Sequence, residues 1–169
     1  ADKNTNINQI TTSLVSQAEH DPDSQCILVT KDKKIIKKTL KGIQKILNNL
    51  PRKKIASKSL KKNGLIVLAQ TDKQILEIIN EIAPEHLELN VKNFSKYVNK
   101  INNAGSICNG QYTPMSVSDY STGTNHVLPC YGSSKFSSGL NVNEFIKKIS
   151  VFTLSKLGVE KIGNPAITL

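Results

Sequence analysis

Two kinds of apolar pattern alternate along the chain, and this alternation constrains the fold more than any other feature. Short unbroken runs, Cys26-Ile27-Leu28-Val29 and Leu65-Ile66-Val67-Leu68-Ala69, are separated by longer stretches in which apolar residues return at helical spacing. A strand covered on both faces in a parallel sheet reads as a continuous apolar run. A helix that buries one stripe repeats every three or four residues. Residues 4–20 carry Ile7, Ile10, Leu14, Val15 and Ala18 at that spacing and stop at Asp21-Pro22-Asp23. Asp32 can cap a second helix with Ile35, Ile36, Leu40, Ile43, Ile46 and Leu47, ending near Asn48-Asn49 before Pro51. Asp72 can cap a third, with Ile75, Leu76, Ile78, Ile79 and Ile82 inside. The order strand, helix, strand, helix, strand predicts an α/β fold, a Rossmann-like and mostly parallel sheet with flanking helices.

Pro84 ends that third helix, because it lacks an N–H and pushes Ala83 out of the right-handed helical region. Leu87 and Leu89 then alternate with Glu88 as a short strand does, which leaves Glu85 and His86 at a helix-to-strand junction. Chemistry in α/β folds concentrates at such junctions. A Glu beside a His offers two proton acceptors that burial and neighbours can tune separately. By itself, however, the dipeptide is commoner as a solvated turn.

A helical piece at 92–99 leads to a further strand at 104–108. Residues 109–139 carry Gly110, Gly123, Gly132 and Gly139 with Pro114 and Pro129, and no long apolar run. A stretch of that kind with Tyr112, Tyr120, Val127-Leu128 and Tyr131 embedded in it is expected to be a long, ordered site loop. Asn141 then caps a C-terminal helix through Phe145, Ile146, Ile149, Phe152 and Leu157, with Gly158 as its terminator.

Composition narrows the function classes. The formal charge is +10 with 23 Lys and Arg, yet the only arginine is Arg52. Base readout and bidentate phosphate contacts favour Arg, so a nucleic-acid reader is disfavoured and the lysines are expected to form solvated faces. No apolar run is long enough to span a membrane, and the N-terminal residues show no signal pattern. Cys26, Cys108 and Cys130 are odd in number and widely spaced, without a Cys-x-x-Cys pair. They point to a reducing cytoplasm and to buried thiols acting as small hydrophobes. A first residue of Ala1 rather than Met leads us to expect a fragment of a longer chain.

The three histidines, His20, His86 and His126, all sit in polar, junctional settings. Gln17 and His20 lie three apart at the end of the first helix and can reach a common point. Asp119 and His126 flank residues 120–125. An imidazole, a carboxylate and an amide oxygen are compatible ligands for a borderline metal such as zinc.

Taken together, the motifs Ser16-Gln17-Ala18-Glu19-His20-Asp21-Pro22-Asp23-Ser24-Gln25, Ala83-Pro84-Glu85-His86-Leu87-Glu88-Leu89, Asn103-Ala104-Gly105-Ser106-Ile107, Asp119-Tyr120 with Gly123, Asn125-His126-Val127-Leu128-Pro129 and Ser138-Gly139-Leu140 closely resemble histidinol dehydrogenase. The resemblance covers essentially the whole chain but only the latter-middle part of the family's longer chain. It implies an NAD-dependent, zinc-containing, cytoplasmic homodimer of histidine biosynthesis that oxidises L-histidinol through L-histidinaldehyde to L-histidine. It further implies zinc on Gln17, His20 and Asp119, proton transfer by Glu85 and His86, and substrate binding by Gln17, His20, His86, Asp119 and His126, with no NAD-binding residue identified in this stretch. Residues 1–158 would then be part of a Rossmann-like domain carrying the zinc and catalytic residues, and 159–169 the start of a truncated C-terminal region. As a separate polypeptide, the chain is expected to show no turnover and to hold zinc weakly at best.

Three positions depart from the family's pattern. Ser118 stands where Gly is usual before Asp-Tyr, Cys130 where Thr is usual, and Lys135 in place of a common Arg. A Ser at a turn needing positive φ would be strained and would displace Asp119. The alternative from another class is a non-catalytic or degenerate Rossmann-like binding domain that keeps the site residues without the activity.

Overall fold

The computed structural model describes residues 1–168, leaving out the side chain of Asp119. The Asn6 side chain accepts the Asn8 N–H at 2.9 Å and starts α1 (Ile7–His20), whose buried stripe is Ile10, Thr11, Val15 and Ala18. β1 (Cys26–Thr30) pairs in parallel with β2 (Gly64–Leu68), with Cys26 opposite Gly64 and Thr30 opposite Leu68. Asp32 caps α2 (Lys33–Asn49) as expected, accepting the Lys34 N–H at 2.7 Å. A helix not foreseen in the sequence, α3 (Lys53–Asn63), completes the crossover. Its lysines mask a short stripe in which Ala56 is fully buried and Leu60 packs beside it. Val15, Ala18, Cys26, Leu47 and Ala56 form one core cluster, and Ile10, Leu28 and Ile35 another. Burial pushes the Cys26 thiol up to about 11, which suits a packing residue rather than a nucleophile.

The second half repeats the logic with α4 (Asp72–Ile82), β3 (His86–Leu89), α5 (Ser95–Val98) and β4 (Ser106–Asn109). β3 and β4 are parallel, with His86 opposite Ser106. Ile79, Leu89 and Tyr97 form their shared core. The cap of α4 is Thr71, whose Oγ1 accepts the Gln74 N–H at 3.1 Å, not Asp72. Asp72 is the first helical residue, and its carboxylate instead takes Lys31, Lys96 and the Tyr97 hydroxyl, the last at 2.9 Å. It thereby ties the end of β1 to α4 and α5.

Hydrogen bonds from Lys31, then from Lys96 and Tyr97, hold the Asp72 carboxyl well below its usual range. Burial and then Asp72 push the Tyr97 hydroxyl up to about 12. A depressed carboxyl stabilises the fold fully above its ordinary value of 3.8, and this contribution is lost progressively as the pH falls from there through the depressed value. The Asp72→Asn variant is therefore expected to melt below wild type at pH 6, with the gap narrowing on acidification to pH 3. Thermal melts with an equal gap at both values would refute the role of Asp72.

The α/β class and the parallel pairing match the sequence pattern, but the strands form two ladders rather than one sheet. Residues 1–2 lie between the pairs. The Ala1 amine donates to the Val29 carbonyl at 3.0 Å and the Asp2 N–H to the Asn90 carbonyl at 3.1 Å, one on each side. The expected long loop contains a helix, α6 (Met115–Tyr120), and a 3-10 turn, Ser133–Lys135. The expected C-terminal helix is absent. Asn141 caps only a 3-10 turn, Val142–Phe145, and α7 (Lys156–Thr168) begins later, with Gly158 inside it. Two local causes account for the shift. Phe145 and Phe152 are 78% and 84% exposed, so the anticipated stripe gains little burial energy among the described residues. Ser155 Oγ accepts the Gly158 N–H at 3.1 Å, which starts a new helix there. No described helix is long and apolar enough to cross a membrane.

Candidate functional site

Glu85 and His86 are held by backbone on three sides. At the end of α4, Ala83 adopts φ +50°, a left-handed cap that turns the chain sharply into Pro84. The Gly105 N–H donates to the Pro84 carbonyl at 2.9 Å and the Ser106 N–H to the Glu85 carbonyl at 2.8 Å, which extends the β3–β4 pairing back over the dipeptide. From the far loop, Ser134 Oγ donates to the buried Ala83 carbonyl at 2.9 Å. The junction predicted from Pro84 is thus a braced turn rather than a solvated one.

The two side chains lie close without being hydrogen-bonded. His86 Nε2 is 3.9 Å from Glu85 Oε1, beyond hydrogen-bond range. The His86 side chain is 16% exposed and that of Glu85 40%. His86 Nδ1 is buried and, among the described residues, has no hydrogen-bond partner. The pair can accept or pass protons at a shared spot, with Glu85 more open to water than His86.

Both residues line a cavity of about 1370 Å³ that also receives Gln17 and His20 from α1. The volume is large because it includes the facing edges of β1 and β3, which share no ladder among the described residues. Gln17 and His20 are one helical step apart, so an amide oxygen and an imidazole meet the same space as the Glu-His pair. α6 carries Asp119, whose side chain lies outside the described residues. His126 is exposed and is not among the residues lining this cavity. Among the described residues, no three His, Cys, Asp or Glu gather as a metal cluster. The donors that Gln17 and His20 bring to the cavity, one amide oxygen and one imidazole, are of types that zinc accepts.

Three family departures can now be placed. Ser118 is helical and buried within α6 and is absent from the positive-φ residues, so the expected strain does not arise. Its hydroxyl donates to the Met115 carbonyl at 2.6 Å. Cys130 is exposed among the residues lining the cavity, correcting the expectation that every thiol is buried: it lies in the irregular loop, with the exposed Tyr131 next to it, and not in a packed strand. Lys135 pairs with Glu81 at 3.1 Å near the surface, a contact worth little by itself.

Sequence reasoning passed over two cavity residues that the fold brings together, Ser13 and Glu88. Ser13 Oγ donates to Glu88 Oε1 at 3.0 Å, joining α1 to β3. The signal was available: Ser13 precedes Gln17 by four residues on a helix, and Glu88 follows His86 by two on a strand, so each shares a face with a named site residue.

Known proteins place the chain. The histidinol dehydrogenase family model matches residues 1–169. Histidinol dehydrogenase of Pelagibacter ubique strain HTCC1062 is 52% identical over 168 residues, 99% of this chain and 39% of the relative. That of Listeria monocytogenes strain EGD-e is 45% identical over 161 residues, 95% of this chain and 38% of the relative. The crystal structure of histidinol dehydrogenase from Elizabethkingia anophelis superposes with a TM-score of 0.86 at 40% identity, covering 98% of this chain and 38% of that one. The chain therefore spans about 39% of the length of its curated relatives. With a family model matched from end to end and a common fold, the chain belongs to the histidinol dehydrogenase family.

Proposed function

We propose that the full-length protein oxidises L-histidinol by way of L-histidinaldehyde to L-histidine, as a cytoplasmic homodimer in histidine biosynthesis with NAD and zinc. The observation that carries this reading is the convergence of Gln17, His20, Glu85 and His86 on one cavity in a chain of this family. Gln17 and His20, with Asp119 from α6, would hold zinc, which when bound polarises and orients the substrate's imidazole and amine. NAD, held by residues that this stretch does not identify, would supply the two-electron acceptor for each oxidation. His86 takes the proton from the alcohol oxygen in the first oxidation. Glu85, the more open of the two side chains, takes the proton from the water that adds to the aldehyde carbon before the second. His126, exposed in this structure, is the remaining substrate-binding candidate.

Chelation tests the metal part. Treating the full-length protein with a strong chelator is expected to abolish histidinol-dependent NADH formation, and added zinc to restore it. Full activity in a metal-free protein, verified by elemental analysis, would remove zinc from the scheme. A non-catalytic binding domain, the other reading, predicts no NADH under any of these conditions.

A further inference from the structure

Glu88 lines the cavity but has no part in the proposed zinc binding or proton transfer. On β3 its neighbours Leu87 and Leu89 pack into the apolar core, so Glu88 and His86 share the opposite face. The carboxylate is partly buried, and two other elements and the residue just after β3 donate to it. Ser13 Oγ of α1 reaches Oε1 at 3.0 Å, Asn90 Nδ2 reaches Oε2 at 3.0 Å, and the Met115 N–H at the start of α6 reaches Oε1 at 3.3 Å. A partly buried carboxylate with three donors is held firmly, because charge-assisted hydrogen bonds are about twice as strong as neutral ones.

The spacing of these donors gives the cluster its meaning. Ser13, Gln17 and His20 stand at i, i+4 and i+7 along α1, one face of a helix. Met115 and Asp119 stand at i and i+4 along α6. His86 is two residues before Glu88 on the same strand face. Two of the contacts to Glu88, from Ser13 and Met115, therefore lie one helical repeat from a residue of the proposed zinc site, and Glu88 itself shares a strand face with His86. On the zinc reading above, we propose that Glu88 is a positioning residue: it sets the register of α1, β3 and α6 so that Gln17, His20 and Asp119 converge on one metal position. Asn90 strengthens the hold, since its own carbonyl accepts the Thr5 hydroxyl and the Asp2 N–H and so is fixed from the other side.

The test is zinc affinity of the full-length apoprotein, measured by competition with a chromophoric chelator, alongside far-UV circular dichroism and kcat and KM. Glu88→Ala is expected to weaken zinc binding about tenfold, the lower end of what outer partners of metal ligands contribute. Ser13→Ala, which deletes one hydroxyl, should weaken it about threefold, and the double variant should be no worse than Glu88→Ala, because both act through one contact. Glu88→Gln keeps an oxygen for the Ser13 and Met115 donors and should stay within about threefold of wild type. A purely structural Glu88 would lower the melting temperature while leaving zinc affinity within twofold, and that result overturns the proposal. If Glu88→Ala does not fold, wild-type affinity in Ser13→Ala overturns it equally. Wild-type protein that binds no zinc would overturn both the zinc reading and the role of Glu88, whereas zinc bound equally well by wild type and variants removes only Glu88.

Discussion

Replacing His86 by Asn in the full-length protein is expected to slow oxidation of L-histidinol by about 10²- to 10⁴-fold, the usual worth of a positioned proton acceptor. The expectation rests on placement. His86 is the first residue of β3, its ring is mostly enclosed, and its Nε2 faces the side chain of Glu85 across 3.9 Å. Asn is smaller and cannot take up a proton, so substrate can still be bound while the alcohol proton has no acceptor. The two members of the pair should separate by step. His86→Asn should slow histidinol more than histidinaldehyde, and Glu85→Gln the reverse, because only the second oxidation consumes water. Stopped-flow measurement of NADH with each substrate decides this. If neither replacement slows either step, the assigned roles are wrong.

A single methyl group placed behind the pair should do comparable damage. A Cβ built on Gly105 would sit 2.7 Å from the Glu85 carbonyl oxygen, with Pro129 Cδ at 3.2 Å and Leu128 Cβ at 3.3 Å. The nearest atom is backbone, and that carbonyl accepts the Ser106 N–H at 2.8 Å, so it cannot yield without breaking the ladder that braces the turn. Gly105→Ala is therefore expected to cost about 1–3 kcal/mol of stability, as overpacking does. A shift of Glu85 approaching an ångström should also lower kcat by about 10²-fold, since reacting groups tolerate little displacement. Chemical denaturation and steady-state kinetics on the same protein check both. A variant with wild-type stability and rate would show that the turn is slack.

Much of the fold was legible because the deciding interactions are local. The apolar runs at Cys26 and Leu65 became paired strands, and the Asp32 cap formed where its side chain could reach the Lys34 N–H. Pro84 ended α4 because a missing N–H has the same effect in any context. The failures came where a pattern needed a partner. The stripe from Phe145 to Leu157 repeats at helical spacing, yet with Phe145 and Phe152 largely exposed the spacing alone did not make a helix. The lysines of α3 hid a helix whose stability comes from Ala56 and Leu60 against the core. Asp72 resembled a cap but is drawn away by Lys31, Lys96 and Tyr97, two of which lie more than twenty residues downstream.

The sequence by itself determined the class of fold, the helix-to-strand junction at Pro84-Glu85-His86 and the family, because strand and helix periods, proline geometry and long ordered motifs are properties of neighbouring residues. Only the tertiary structure decided that the strands form two ladders, that Ser118 is an unstrained helical residue, that His126 is exposed and does not line the cavity, and that Ser13 and Met115 both meet Glu88. Those outcomes depend on contacts between residues up to 75 positions apart, and such contacts are set by packing rather than by any local pattern.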